Sequence, residues 1–392
     1  MNPNSPSPSP EAGSSPSGPD DQPPHPAPTP SHLPLGPRVL GLVRKRLTWC
    51  MVAAYVAAVL VPGPGRWART AGWAALTFQH GHGQAHGPGT GPTLPSLLLA
   101  YVLFTAALQV PARELPTLLR RPVPLLVGTA AAVGVPVALL FLLSRAFAWL
   151  PDSDGGSGLL TGLALIGAMP VAGGATVWGG RAGGNQTLVV GLVLSSTILS
   201  PLTIPLTLLS AAAVTRGGYS TALGHLAGTG GGLFAVAGVV APCLGGLAVR
   251  GLLPRRMLAG DLAWPKVAAL AAALLLTYTN ATGGLGDMVS HPDPLLFVAA
   301  AGAAALMCGA SFGLGWCLAR ALRSNRRDAI AITLATGMNN SSASAVLATD
   351  RLADHPHVLL PVLAYSVLQK VLAGLVDTAF TRSPRAQQSG AP

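Results

Sequence analysis

Two stretches of this chain carry amide and hydroxyl groups inside surroundings that are almost wholly apolar. Residues 335–345 read ATGMNNSSASA, and residues 167–180 read GAMPVAGGATVWGG. Asn339, Asn340 and Ser341, followed by Ser342, present dipoles in tandem. Such groups are costly in hydrocarbon unless they face protein, water or a ligand. In the other stretch Pro170 removes a backbone donor, and Gly173 and Gly174 loosen whatever helix contains them, as Gly337 does in its own segment. Thr176 adds a hydroxyl opposite the asparagines. A lone base, Lys370, sits in the apolar run LAYSVLQKVLAG of residues 363–374. These groups can orient a polar or anionic ligand, but none is an acid or base set for bond cleavage. For the glycines alone, close helix packing is an equally good reading.

Other reactive residues are placed less usefully. His80, His82 and His86 lie in HGHGQAH, a Gly-rich loop that is not preorganised for a metal. Cys50, Cys243, Cys308 and Cys317 form no CxxC pair and read as small buried thiols. No apolar segment holds His, Asp or Glu in its core, so an acid pair, a Ser/His arrangement and a metal centre are all missing from where an intramembrane enzyme would need them. A Ser341/Lys370 dyad is only a conjecture. The chain is therefore not expected to be an enzyme, and neither a cofactor nor a bound metal is expected.

The elements that must position these groups are long and apolar. Of 392 residues 50% are hydrophobic and 9% are charged, where a soluble domain carries about 25% charged residues. Residues 1–37 hold 13 of the 36 prolines and no apolar run, which predicts a disordered cytoplasmic tail. The carrier domain is expected over 38–380, with a flexible tail from 381 to 392. Within it, ten stretches have roughly the length that spans a bilayer: 47–63, 93–111, 122–143, 158–178, 185–213, 229–250, 264–280, 294–319, 328–349 and 358–379. The first is interrupted by Pro62 and Pro64, and the seventh is short. Lumen-facing alternation is absent, so helices rather than barrel strands are predicted.

The net charge of +11 reads as a topology signal rather than as nucleic-acid affinity. With the N-terminus inside, eighteen of the 24 bases fall on the cytoplasmic side and five opposite, as the positive-inside rule requires of ten spans with both termini cytoplasmic. Ten divides into five and five. An odd number per half inverts the second half, and the interrupted stretches are then the fourth span of each half. Matching interruptions in corresponding helices point to a binding site at the membrane midplane.

Three stretches resemble the bile acid:sodium symporter family, within the wider group of ten-helix carriers that includes arsenite and auxin transporters. They are MPVAGGATVWGGRAGGNQTLVVGLVLSSTILSPLTIPLT at 169–207, GMNNSSASAVLA at 337–348 and LAYSVLQKVLAG at 363–374. The resemblance covers about 38–380. It implies an all-α polytopic membrane protein with an inverted five-plus-five repeat, a panel of helices 1, 2, 6 and 7, and a core of helices 3–5 and 8–10. The discontinuous helices 4 and 9 would cross in that core. It implies secondary transport of a small organic anion by alternating access, with sodium as the coupling ion. Substrate would meet Gly173, Gly174, Thr176, Asn339, Asn340, Ser341 and Lys370.

The chain departs from that family where sodium ligands are implied. The matching positions are Ala175 and Thr176 at the first break, Val189 and Val193 on helix 5, Ala335 on helix 9 and Ala131 on helix 3. Asn339 could offer a side-chain oxygen, and Thr336 and Met338 backbone carbonyls. Sodium wants about six oxygens with some negative charge, so these residues argue against tight sodium binding. In the same neighbourhood Lys370 replaces a small polar residue, at a cost of roughly 3 kcal/mol at bilayer depth. Its ammonium is expected to stand in for a sodium ion, to pair with an anionic substrate, or to carry a proton. Snorkelling to an interface is the bland alternative. A proton-coupled or uncoupled exporter and a non-transporting receptor or sensor derived from a carrier are the alternative functions. A channel would need a continuous polar stripe, which is absent.

Overall fold

The computed structural model describes residues 47–70, 93–110, 122–147, 156–252, 263–290, 294–352 and 354–381. The proline-rich segment, the histidine loop and residues 382–392 lie outside the described residues. Helices form every named element among them: α1 (Leu47–Leu60), α2 (Pro62–Thr70), α3 (Leu94–Leu108), α4 (Pro122–Phe147), α5 (Ser157–Ala168), α6 (Gly174–Arg181), α7 (Gln186–Ala212), α8 (Gly217–Leu252), α9 (Ala263–Ser290), α10 (Pro294–Ala321), α11 (Arg326–Gly337), α12 (Ser341–Arg351) and α13 (Leu359–Thr381).

Helix occupies all ten apolar stretches, with local differences that have local causes. The first stops at Leu60 and a new helix starts at Pro62, where a proline suits the first turn because its missing N–H would have no partner there. The seventh runs 28 residues, well past the expected end at 280. The sixth is longer too, and contains π-helical turns at Leu226–Gly230 and Phe234–Val240. In α7, Pro201 deprives the Thr197 carbonyl of its helical donor, and the Ser200 hydroxyl supplies one at 2.7 Å.

Five helical stretches are long and apolar enough to cross a membrane: Pro122–Phe147, Gln186–Ala212, Gly217–Leu252, Pro294–Ala321 and Leu359–Phe380. No more than half of the apolar window in any of them is buried. Leu142, Leu202, Leu206, Leu233, Val298 and Leu375 are all more than half exposed. A water-soluble chain would not leave such faces bare, and the protein is a polytopic membrane protein. Cys243 and Cys308 are buried as expected and Cys50 is half-buried, but Cys317 is exposed. A lipid-facing position takes a small apolar thiol as readily as a core does, which is why the sequence did not separate the two cases.

The packing divides between two neighbourhoods. Helix α9 lies against α1, α2 and α3, and α3 packs on the last part of α8. Helices α4, α5, α7, α10, α11 and α13 share a core that includes Leu163, Ile166, Leu192, Met307, Leu334 and Tyr365. Glycines set close approaches in this core. Gly337 faces the Phe312 ring so closely that a methyl group in its place would overlap it.

One buried acid holds two helix starts together. Asn185 caps α7 and Asn325 caps α11. Both side-chain amides donate to Asp328, each at 2.7 Å, and the Asn185 backbone N–H donates to the Arg327 carbonyl at 3.0 Å. Replacing Asp328 with Ala removes the acceptor of the half-buried Asn185 amide and of the exposed Asn325 amide, and should cost about 1 kcal/mol. Thermal unfolding in detergent measures this, with Asp328→Asn falling between the two. Gly337→Ala should cost about 1–3 kcal/mol through overpacking, and Phe312→Ala in the same chain should restore part of it.

Candidate functional site

Both interrupted stretches are broken helices, and the breaks meet. Helix α5 ends at Ala168 because Met169 precedes Pro170 and is pushed to extended angles, φ −77° and ψ 147°. The chain resumes as α6 at Gly174. Helix α11 ends at Gly337, Met338 is extended at φ −113° and ψ 95°, and α12 begins at Ser341. The two extended pieces pair antiparallel through Val171 and Asn339. Ala172 N–H donates to the Met338 carbonyl at 2.8 Å, and Asn340 N–H donates to the Pro170 carbonyl at 3.0 Å. Each break thus satisfies backbone groups of the other, which lipid could not do.

Side chains complete the crossing. The last carbonyls of α5 are orphaned by its end. Asn339 Nδ2 donates to the Ile166 carbonyl at 3.0 Å, and Ser344 Oγ donates to that of Leu165 at 3.2 Å. The Tyr365 hydroxyl donates to the Gly337 carbonyl at 3.0 Å, and Val171 N–H donates to Ser196 Oγ at 3.1 Å. Asn340 caps α12, its Oδ1 accepting the Ala343 N–H at 3.2 Å.

The residues singled out from the sequence separate into those at the crossing and those beside it. Pro170, Gly337, Met338 and Asn339 are structural parts of the crossing. Asn339 is fully enclosed; its amide nitrogen is used and its Oδ1 has no partner. Ala175, Ala335 and Thr336 are also fully enclosed, and the Thr336 hydroxyl donates to the Ile332 carbonyl at 2.8 Å. Thr176 Oγ1 donates to the Gly173 carbonyl at 2.7 Å. Gly173 and Gly174 have ordinary room for a methyl group, so steric crowding does not require glycine at either position. Ser341 Oγ accepts from Gln369 Nε2 at 3.0 Å, while Lys370 Nζ donates to Ser366 Oγ at 3.2 Å. The conjectured Ser341/Lys370 dyad is therefore not formed.

Beside the crossing lies a small polar pocket lined by Tyr55 of α1, Thr277 and Asn280 of α9, Ser341, Ser342 and Ala345 of α12, and Val362, Leu363 and Ser366 of α13. It is bounded by both packing neighbourhoods. Tyr55 is hydrogen-bonded to Ser366, which links the pocket to Lys370. Among the described residues no group of His, Cys, Asp or Glu could hold a metal. Sequence reasoning missed Asn280, Gln369, Ser344 and Tyr365. Asn280 and Gln369 each keep a buried side-chain oxygen without a partner. Their signal was present as the polar run TYTN at 277–280 and as an amide next to Lys370, but a polar residue in an apolar helix does not announce which way it faces.

The capping role makes a specific expectation for Asn340. Asn340→Ala should lower unfolding stability by about 1 kcal/mol, and Asn340→Ser should retain most of it. Thermal melting of the purified variants checks this. Equal melting of wild type and the Ala variant would mean that the Asn340 cap is not formed.

The sequence of the central region matches the Sodium Bile acid symporter family over residues 96–290. A curated protein of Bacillus subtilis (strain 168), described as "Uncharacterized sodium-dependent transporter YocS", is 23% identical over 297 residues, covering 75% of this chain and 85% of that protein. The matched segment contains the first break, the helix that follows it and the polar run of α9, so the likeness to the sodium bile acid symporter family covers one of the two breaks and part of the pocket lining.

Proposed function

We propose that the chain is a secondary active carrier of a small organic anion, working by alternating access around the crossing of its two broken helices. In this reading the ten apolar stretches are ten spans, arranged as an inverted five-plus-five repeat with both termini cytoplasmic. The single observation that carries the reading is the mutual pairing of the two breaks, with a polar pocket beside it. Discontinuous helices turn their freed backbone groups and helix starts toward a ligand, and the start of a helix favours an anion.

In this reading α1, α2, α3, α8 and α9 correspond to the panel, and α4–α7 with α10–α13 to the core; the packing of α9 on α1, α2 and α3 supports the division, while the first part of α8 also packs on α7. The pocket draws Tyr55, Thr277 and Asn280 from one and Ser341, Ser342 and Ser366 from the other. A ligand lying between two bodies is exposed to either side as they rock. Asn340 and Ser341 orient it at the start of α12, and Gly173, Gly174 and Thr176 approach it from the start of α6. Asn339 acts through the crossing, which its own amide braces. Lys370 supplies the charge. Sodium or a proton is the coupling ion of the family reading, and the relative in Bacillus subtilis is described as sodium-dependent.

The test is uptake by purified protein in liposomes, using labelled bile acids and labelled small carboxylates, with sodium and pH gradients imposed separately. Accumulation above equilibrium of at least one anion supports the carrier. Ser342→Leu should fill the pocket and abolish that uptake while the protein keeps its melting temperature. Binding without uptake in wild type would instead identify a receptor.

A further inference from the structure

Lys370 is the middle residue of α13, eleven residues from each end of Leu359–Thr381. At 1.5 Å per residue either end is about 16 Å away, too far for a four-carbon stem to bring the ammonium to a membrane interface. The side chain is half-buried and folds back along its own helix. Its Nζ is 3.2 Å from the hydroxyl of Ser366, one turn back along the helix, and Ser366 lines the pocket and bonds Tyr55. The same face continues through Gly374, packed on Trp178, to Asp377.

No carboxylate answers this cation among the described residues. Asp377 is taken by Arg181 at 3.3 Å, Asp328 by the two asparagine amides, and Asp350 accepts from Thr93 at 3.0 Å. An ammonium held at mid-helix with only a hydroxyl for a partner is costly, unless an anion arrives to meet it.

The crossing next to it is a poor home for a sodium ion. Ala175, Val189 and Ala335 are apolar and fully enclosed. The Thr336 hydroxyl is spent within its helix, and the Met338 carbonyl already receives the Ala172 N–H. The unpartnered side-chain oxygens nearby are those of Asn339, Gln369 and Asn280, all uncharged, where a hard cation wants about six oxygens including charged ones. We infer that Lys370 is a built-in counter-charge that replaces the coupling cation at this site, so that a small carboxylate binds the pocket directly against its ammonium and without sodium. This inference rests on the carrier reading only for the position of the pocket.

Thermal unfolding of purified full-length protein tests it without requiring transport. In the first arm sodium, potassium and choline chlorides are compared at equal ionic strength. Wild type should show no sodium-specific stabilisation, since a ligand that binds only the folded form would raise its melting point. A sodium-specific rise would overturn the inference and leave the carrier reading standing. In the second arm choline acetate, lactate and succinate are titrated against choline chloride. At least one carboxylate should stabilise wild type and Lys370→Arg, and its apparent affinity should fall roughly ten- to a hundredfold in Lys370→Met, which loses a charge-assisted hydrogen bond. Equal carboxylate shifts in wild type and Lys370→Met, or none in wild type, would overturn it. If Lys370→Met does not fold, wild type and Lys370→Gln make the same comparison. Failure of the carrier reading shows separately, as carboxylate binding without liposome uptake.

Discussion

A peptide group in a bilayer has no water to bond with, and that constraint governs the centre of this molecule. Two helices stop inside the fold, each leaving carbonyls and amides that helix geometry can no longer satisfy. Two backbone hydrogen bonds, from Ala172 to Met338 and from Asn340 to Pro170, let each break supply part of what the other lacks. Neither interruption would be tolerable alone, so the pair is a single structural unit built from segments about 170 residues apart. Asn339, Ser344, Ser196 and Tyr365 finish the bonding around it.

The same constraint sorts the polar residues of the apolar helices by purpose. Some are consumed by the fold. Ser200 repairs the gap at Pro201, Thr336 bonds back along its own helix, and Asn340 caps α12. Others retain bonding capacity in or beside the pocket. Asn280, which lines it, and Gln369, which bonds the lining Ser341, keep an oxygen each, and Lys370 keeps an ammonium with a single hydroxyl partner, the lining Ser366. Because an unsatisfied group in a dry interior is costly, the second set marks where a ligand would gain most by binding. The match over residues 96–290 makes the chain similar to a family of symporters, and this residual bonding capacity marks where on the chain a ligand would be held.

At the end of the bundle where Asp328 lies, the arrangement is of a different kind. Asp328 joins the starts of α7 and α11 through Asn185 and Asn325, while Arg181 pairs with Asp377 across α6 and α13. The segments that follow the first break and precede the second are thereby fixed to each other at their far ends as well as at the crossing. This unit packs against α9 through α12 and α13, against α3 through α12, and against the first part of α8 through α7.

Much of this was legible in the amino-acid order. Length and apolarity determine the helical stretches, because a run of about 20 apolar residues has few other stable forms. Pro170 and the tandem asparagines mark both interruptions, because each residue type is penalised in an ordinary membrane helix. What the order of residues could not decide is direction and pairing. Whether Asn339 faces a ligand or a neighbouring carbonyl, whether Lys370 turns to the pocket or to an interface, and whether Asp328 is a loop acid or a clamp all depend on which distant segment lies alongside. Those answers arise only when α5, α12 and α13 are brought together, since a side chain's partner is set by the packing of helices far apart in the chain and not by its sequence neighbours.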